Sequence, residues 1–117
     1  MSDEIRIFYN PNCSKCRLTM GILDEKGANT SVIEYLSTPP DSDELNEILD
    51  LLGMEPRDLM RKHEAPYKEN NLDNPELSRD QLIQAMINNP ILIERPIVIS
   101  GNKAIIGRPP EKVLDIL

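Results

Sequence analysis

The chain has 117 residues, 39% of them apolar, and a formal net charge of −7 at pH 7. This is the size of one globular domain, so the sequence predicts a single domain over residues 1–117. The negative charge argues against nucleic-acid binding, which needs a basic face. Because no hydrophobic run approaches the roughly 20 residues of a membrane span and MSDEIR is unlike a signal peptide, we expect a cytoplasmic protein without membrane contact.

The first third of the chain predicts a strand-helix-strand unit. Residues 5–9 alternate apolar and polar side chains and end at Asn-Pro, which is typical of a strand that runs into a turn. A helix is expected over residues 14–26, before Gly27, and a second, parallel strand over residues 31–36. The apolar residues at helical spacing in this helix are Leu18, Ile22 and Leu23.

Residues 40–90 predict a helical insertion with an irregular segment over residues 63–75. Its first helix has an apolar stripe and ends at Gly53, and its second is expected to end at Lys62. The start signals of its three expected helices are Asp41 with Glu44, Pro56, and Ser78 with Gln81.

The last part of the chain predicts a hairpin and a helix. Residues 97–99 and 104–106 are apolar and flank a Ser-Gly-Asn turn, which is typical of two antiparallel strands. Two prolines then start a helix that runs to the end of the chain. The residues of that helix expected to face inward are Val113, Leu114 and Leu117.

The stretch NPNCSKC places two cysteines three positions apart, between the first strand and the first helix. In a reducing compartment such a pair points to catalysis, metal binding or redox exchange. Zinc is the weakest of these, since a closed site needs four ligands and the chain offers Cys13, Cys16 and His63. At the helix N-terminus the Cys13 thiolate would be favoured by unpaired N–H groups and the helix dipole, and Cys16, one turn further in, less so. The alternative is that both are small core residues.

Four motifs together resemble the glutaredoxin-coupled arsenate reductase family, which is ArsC-like. They are YNPNCSKCR, LMRKHEAPYKE, NNPILIERPIVI and IGRPPEKVLDIL, and the likeness covers about residues 5–117. The resemblance implies a thioredoxin/glutaredoxin-like α/β fold, with a four-stranded mixed sheet flanked by helices and the insertion at about residues 40–90. It also implies that no cofactor or metal is bound and that glutathione is a co-substrate.

In this family the cysteine of the Asn-Pro-x-Cys turn is the nucleophile, which places that role on Cys13. The matching motifs carry three arginines onto Arg61, Arg95 and Arg108. Arginine stays protonated, and its planar fork suits an oxyanion such as arsenate or phosphate. Pro96 matches the cis-proline of thioredoxin-like folds.

Several assignments stay open at this point. Arg61 shares a helix face with Arg57, and periodicity does not choose between them. Near the nucleophile, Tyr9 stands where the best-known members often have histidine, before the Asn10 of the turn. Cys16 stands where they usually lack a thiol; it either resolves the Cys13 adduct or supports the site. His63 either approaches the site or is an incidental exposed residue.

The resemblance implies an enzyme that reduces arsenate to arsenite with electrons from glutathione and glutaredoxin. If Cys16 resolves the Cys13 adduct, a thioredoxin-like partner is the alternative reductant of the resulting disulfide. We expect a monomer. One alternative is an Spx-like redox-sensing transcription regulator that binds RNA polymerase. Such regulators share the fold and the Arg-Pro-Ile sequence at the start of the strand, but we expect them to lack an arginine at the position of Arg108. Another is a general thiol-disulfide oxidoreductase, which has little use for three arginines.

Overall fold

The computed structural model describes residues 4–117. Contacts within the chain divide it into two compact units. The strand unit consists of the residues up to Thr38 together with Arg95–Leu117, and the helical unit is Pro39–Glu94. The single domain predicted over residues 1–117 stays a prediction.

The strand unit contains the strands β1 Ile5–Phe8, β2 Thr30–Ile33, β3 Ile97–Ser100 and β4 Lys103–Ile106. They form a mixed sheet in the order β2-β1-β3-β4, which confirms the predicted fold class. β1 pairs in parallel with β2 and antiparallel with β3, and β3 pairs antiparallel with β4. β2 ends before residue 36, the expected end, because the Ser37 N–H donates to the Glu34 carbonyl at 3.0 Å and closes a turn there.

Helix α1, Ser14–Glu25, packs against the core of the strand unit through Leu23, with Ile22 partly buried beside it, and both belong to the predicted apolar set. Its buried residues are Cys16, Thr19 and Leu23, which recur at helical spacing. Leu18, the third member of the apolar set, is 56% exposed. Gly27 follows the helix with φ +66°, a left-handed conformation that glycine adopts without a Cβ penalty.

The last helix is a 3₁₀ helix, Pro110–Ile116, and this changes which residues face the core. A 3₁₀ helix has three residues per turn, so Pro110, Val113 and Ile116 share one face. Val113 is buried with Ile5, Ile7, Leu23 and Val98 in the core of the strand unit. The expectation that Leu114 and Leu117 face inward was wrong, since they are 44% and 47% exposed.

The helical unit contains α2 Ser42–Leu52, α3 Ala65–Glu69 and α4 Arg79–Asn88, with 3₁₀ helices at Pro56–Leu59 and Pro90–Leu92. Two predicted N-caps are confirmed: Asp41 accepts from the Glu44 N–H at 2.8 Å, and Ser78 and Gln81 form a capping box. Two expectations were wrong. The helix at Pro56 stops at Leu59, before residue 62, and α3 lies within the segment expected to be irregular.

None of the helices within residues 4–117 is both long enough and apolar enough to span a bilayer.

Gly107 permits a close approach between β4, β3 and α1. Its N–H donates to the Pro96 carbonyl at 2.9 Å, and the residue that follows it is Arg108. A Cβ at this position would lie 2.6 Å from Thr19 Oγ1 and 2.9 Å from Pro96 Cγ. Neither neighbour yields easily, because the Thr19 hydroxyl donates to the Lys15 carbonyl at 2.8 Å and a proline ring is stiff.

We therefore expect Gly107→Ala to lower the free energy of unfolding by roughly 1–3 kcal/mol through overpacking. Gly21→Ala is the matched control, since a Cβ there meets nothing within 4 Å and the site is in the middle of α1. It should raise stability by about 0.5–1 kcal/mol. Chemical denaturation followed by circular dichroism measures both. Thr19→Ala should recover part of the loss in the Gly107→Ala protein, and a Gly107→Ala protein as stable as wild type would contradict the argument.

Candidate active site

The loop between β1 and α1 is shaped by Asn10, which is 5% exposed. Its side-chain oxygen accepts from the Asn12 N–H at 2.9 Å, and its carbonyl accepts from the Cys13 N–H at 3.0 Å. Such local bonds from asparagine stabilise a turn. Asn10 therefore acts on the geometry of the loop that presents Cys13.

Cys13 is the N-cap residue of α1, in an extended conformation, and it is 7% exposed. Burial by itself raises the pKa of its thiol. The backbone N–H of Cys16, the Arg95 side chain, the Cys16 thiol and the backbone N–H of Lys15 all bond to the sulfur and outweigh burial, so that the pKa falls to about 7. A large fraction of Cys13 is therefore thiolate at neutral pH, which is the nucleophilic form.

Two arginines meet at the Cys13 sulfur. Arg108 Nη2 donates to Cys13 Sγ at 3.6 Å, and Arg108 Nε donates to the Arg95 carbonyl at 2.7 Å. The hairpin explains their proximity, because Ile97 at the start of β3 pairs with Ile106 at the end of β4. Arg95 precedes β3 by two residues and Arg108 follows β4 by two residues, so both lie at the same end of the hairpin. Their guanidinium groups provide positive charge and fixed N–H donors beside the thiolate.

Both arginines precede cis peptide bonds. The Arg95–Pro96 bond is cis, as expected from the sequence, and the Arg108–Pro109 bond is also cis, which was not anticipated.

Cys16 lies one turn into α1, with no exposed surface. Burial raises its pKa most; the Asn10 N–H acts in the opposite direction, and the nearby Cys13 sulfur raises the pKa further, to about 12. Cys16 is therefore a neutral thiol at physiological pH, whereas a large fraction of Cys13 is thiolate. Both cysteines are free thiols.

Tyr35 is a residue of this site that the sequence analysis missed. Ile33 and Ile97 both pair with Phe8, so the residues two positions beyond them, Tyr35 and Arg95, lie at the same edge of the sheet. Burial by itself lowers the pKa of Arg95, but interactions with the Cys13 sulfur and the Tyr35 hydroxyl raise it. The sequence SVIEYL predicts a continuous strand, and that prediction gives Tyr35 no role in the site.

Arg61 belongs to the helical unit. Its Nη1 donates to Glu94 Oε1 at 2.9 Å, and its Nε donates to Glu64 Oε2 at 3.2 Å. The third contact is between Arg61 Nη2 and His63 Nε2 at 3.1 Å, and the His63 side chain is 69% exposed. Arg57, the alternative to Arg61, donates to the carbonyls of residues 72 and 74. Arg57 thus ties a loop together.

Tyr9 continues the strand geometry of β1, with its N–H donating to the Ile33 carbonyl at 2.8 Å. Its side chain is half-buried against the core cluster of the strand unit, beside the sheet face that carries Ile5 and Ile7. Packing therefore accounts for an aromatic residue at this position.

The part of the chain that the structure describes contains no group of three or more His, Cys, Asp or Glu residues arranged to hold a metal ion.

The chain resembles known proteins over nearly its whole length. The chain matches the ArsC family over residues 8–116. It is 46% identical to an arsenate reductase of Neisseria meningitidis over 97% of this chain and 98% of that one, and 50% identical to a protein of Escherichia coli K12 named "Uncharacterized protein YfgD" over 100% and 99%.

The fold is also that of a solved relative. The structure of an arsenate reductase from Vibrio cholerae covers 100% of both chains with a TM-score of 0.96 at 46% identity. The thioredoxin-like fold expected from the resemblance is confirmed, and the chain belongs to the ArsC family.

Proposed function

We propose that this protein is a thiol-dependent arsenate reductase with Cys13 as its nucleophile. The observation that carries the proposal is the contact between the Cys13 sulfur and Arg108 Nη2 at 3.6 Å, at a sulfur whose pKa the Arg95 side chain also lowers. A thiolate with a pKa of about 7 supplies the nucleophile, and the guanidinium groups suit a tetrahedral oxyanion. Relatives that cover nearly the whole chain and are named arsenate reductase support this choice of oxyanion.

In the first step the Cys13 thiolate attacks arsenic and forms a sulfur–arsenic bond. One arsenate oxygen takes up protons from solvent and leaves as water. Arg95 and Arg108 hold the remaining oxygens. These oxygens are negatively charged and are repelled by the chain as a whole, which carries a net charge of −7. A local pair of arginines is therefore what makes the site acceptable to an anion.

Arg61 is the third arginine of the proposal, on the support of its LMRK motif. Its side chain is 12% exposed, and its guanidinium is held by the Glu64 and Glu94 carboxylates, which fixes its orientation within the helical unit. Arg57 has no such role, since its side chain is engaged with loop carbonyls.

In the second step we assign Cys16 as the resolving thiol. Burial, the largest cause of the raised pKa of Cys16, persists once Cys13 is bound to arsenic. The negative charge on Cys13, which raises that pKa further, is then gone, while the Asn10 N–H and Arg95 still lower it. The deprotonated Cys16 sulfur attacks the Cys13 sulfur. The electron pair of the sulfur–arsenic bond goes to arsenic, which passes from As(V) to As(III), and the two sulfurs are oxidised to a disulfide.

Electrons then come from glutathione through glutaredoxin, or from a thioredoxin-like dithiol, and reduce the disulfide by thiol exchange. No bound cofactor is required for this cycle. The reaction belongs in the cytoplasm, where glutathione keeps thiols reduced, and one chain supplies every residue that it uses, so we propose a monomer.

The contact of Arg108 with the nucleophile also separates the reductase from the two alternatives. An Spx-like regulator that binds RNA polymerase and a general thiol-disulfide oxidoreductase both use a cysteine pair, but neither needs an arginine on the sulfur to hold an oxyanion.

Cys13→Ala should abolish arsenate-dependent NADPH oxidation in an assay coupled through glutathione, glutaredoxin and glutathione reductase, because the nucleophile is gone. Arg108→Ala should lower kcat/KM by about ten- to a hundred-fold, the cost of one charge-assisted hydrogen bond. Lys112→Ala is the control for the lost charge, since Lys112 is exposed. Full turnover by Cys13→Ala would show that the nucleophile is misassigned.

Iodoacetamide should alkylate Cys13 with a rate that rises with pH about a midpoint near 7, while Cys16, with a pKa of about 12, stays unmodified across that range. Arg95→Gln should move the midpoint upward, because it removes a donor that stabilises the thiolate. Peptide mapping of quenched samples gives both rates. A midpoint at or above that of a free cysteine would contradict the proposed activation.

A single turnover with arsenate and no glutathione should leave a Cys13–Cys16 disulfide and release one arsenite for each protein molecule. Cys16→Ser should release none until glutathione is added. Acid quenching, alkylation and mass spectrometry identify the oxidised peptides. If wild-type protein releases arsenite only with glutathione, and glutathionylated Cys13 is the species trapped, then glutathione and not Cys16 resolves the adduct.

A further inference from the structure

We propose that Thr19 is a positioning residue, whose side chain packs against Gly107 and so sets the separation between Cys13 and the Arg108 guanidinium. The inference deepens the proposed function, on which its arsenate kinetics rest. It assigns a role to a buried polar side chain that the proposed reaction does not otherwise use.

The side chain of Thr19 is held in a fixed place on α1. It has no exposed surface, and its hydroxyl donates to the Lys15 carbonyl at 2.8 Å, one turn earlier in the helix. This bond selects one of the side-chain orientations that are open to a threonine in a helix. Cys13 is the N-cap residue of the same helix, so a shift of α1 at Thr19 also moves the sulfur.

The segments on the opposite side of this contact are also tied together. The Gly107 N–H donates to the Pro96 carbonyl at 2.9 Å, and Arg108 Nε donates to the Arg95 carbonyl at 2.7 Å. Both bonds join the residues before β3 to the residues after β4. These four residues thus form one hydrogen-bonded block, which we call the arginine block.

The arginine block approaches α1 at the sulfur and again at Thr19. At the sulfur, Arg108 Nη2 lies 3.6 Å from Cys13 Sγ. At the second place, a Cβ on Gly107 would lie 2.6 Å from Thr19 Oγ1 and 3.3 Å from Thr19 Cγ2, so a glycine hydrogen fits and a methyl group does not. Because close-packed interiors transmit strain, the spacing at Thr19 fixes the spacing at the sulfur.

The simpler explanation is that Thr19 only fills space beside a glycine. Replacing either residue would then change the stability of the protein and leave the folded site unaltered. The two explanations therefore differ in what they expect at the Cys13 sulfur of the folded protein.

Two alkylating reagents measure this difference. Iodoacetate is an anion that positive charge attracts, whereas iodoacetamide is neutral. The ratio of their rates of reaction with Cys13 therefore reports the positive charge beside the sulfur. Arg108→Ala supplies the reference ratio for a site that has lost this arginine.

Gly107→Ala should lower the iodoacetate-to-iodoacetamide ratio several-fold, toward the reference ratio, because the new methyl group pushes the arginine block away from α1. Thr19→Ala should also lower the ratio, since without its spacer the helix is no longer held at one distance. In the double variant the added methyl group fills the space that the threonine leaves. Thr19→Ala/Gly107→Ala should therefore recover most of the wild-type ratio.

The catalytic rate should follow the same order. Gly107→Ala should lower kcat/KM for arsenate about ten-fold, since a displacement of about 1 Å can cost about 100-fold. The controls should stay close to wild type in both measurements. Gly21→Ala adds a methyl group to α1 where nothing lies within 4 Å, and Thr19→Ser keeps the hydroxyl that lies nearest to Gly107.

Thermal unfolding shows which variants are folded at the assay temperature. Folded Gly107→Ala and Thr19→Ala proteins with the wild-type ratio would overturn the proposal, and so would a double variant that is no better than Gly107→Ala. If Gly107→Ala does not fold, Thr19→Ala decides alone, because it introduces no clash, and a wild-type ratio would overturn the proposal.

The alkylation ratio requires no arsenate. Wild-type protein that fails to reduce arsenate would therefore contradict the proposed function, while the ratios of the variants would still decide the role of Thr19.

Discussion

The site depends on keeping a negative charge on one sulfur that is almost wholly removed from water. Burial alone works against the Cys13 thiolate, and it is the largest single influence on that pKa. The thiolate is nevertheless stabilised, because several donors point at the sulfur: two backbone N–H groups in the first turn of α1, the Cys16 thiol and the Arg95 side chain. Three of these donors belong to the start of α1, and the Arg95 side chain comes from the segment before β3, so the charge survives only if these two parts of the strand unit keep their places.

The sheet provides that precision. Phe8 pairs with both Ile33 and Ile97, and Ile97 pairs with Ile106, so one row of residues crosses all four strands. Each functional side chain leaves from just beyond this row. Because a shift of one residue in a strand moves every side chain to the opposite face, the apolar residues that fix the register also fix the site. Gly107, whose missing Cβ lets Thr19 and Pro96 approach, belongs to the same arrangement.

The sequence predicted much of this arrangement, and its errors have local causes. Regular elements with strong signals were found, such as the helix that begins at Ser78 and the hairpin around Gly101. In α1 the apolar set predicted from the sequence includes the buried Leu23, but it does not predict the exposure of Leu18 or the burial of Cys16 and Thr19, small side chains that fit close packing. Tyr35 was missed because its partner comes from the other end of the chain, and contacts between distant segments leave no periodic signal.

In the proposed reaction the same donors stabilise first the negative charge on the Cys13 sulfur and then the negative charge on the oxygens of the oxyanion. Hydrogen bonds from Arg95 lower the pKa of Cys13, but they also reduce the reactivity of the thiolate that they stabilise. During attack on an oxyanion, negative charge leaves the sulfur and builds up on the oxygens, and a guanidinium with donors to spare can follow it. Interactions that strengthen as charge moves stabilise the transition state more than the bound substrate, and only such interactions raise kcat. An arginine that already lies beside the sulfur can make this transfer without having to be reoriented first.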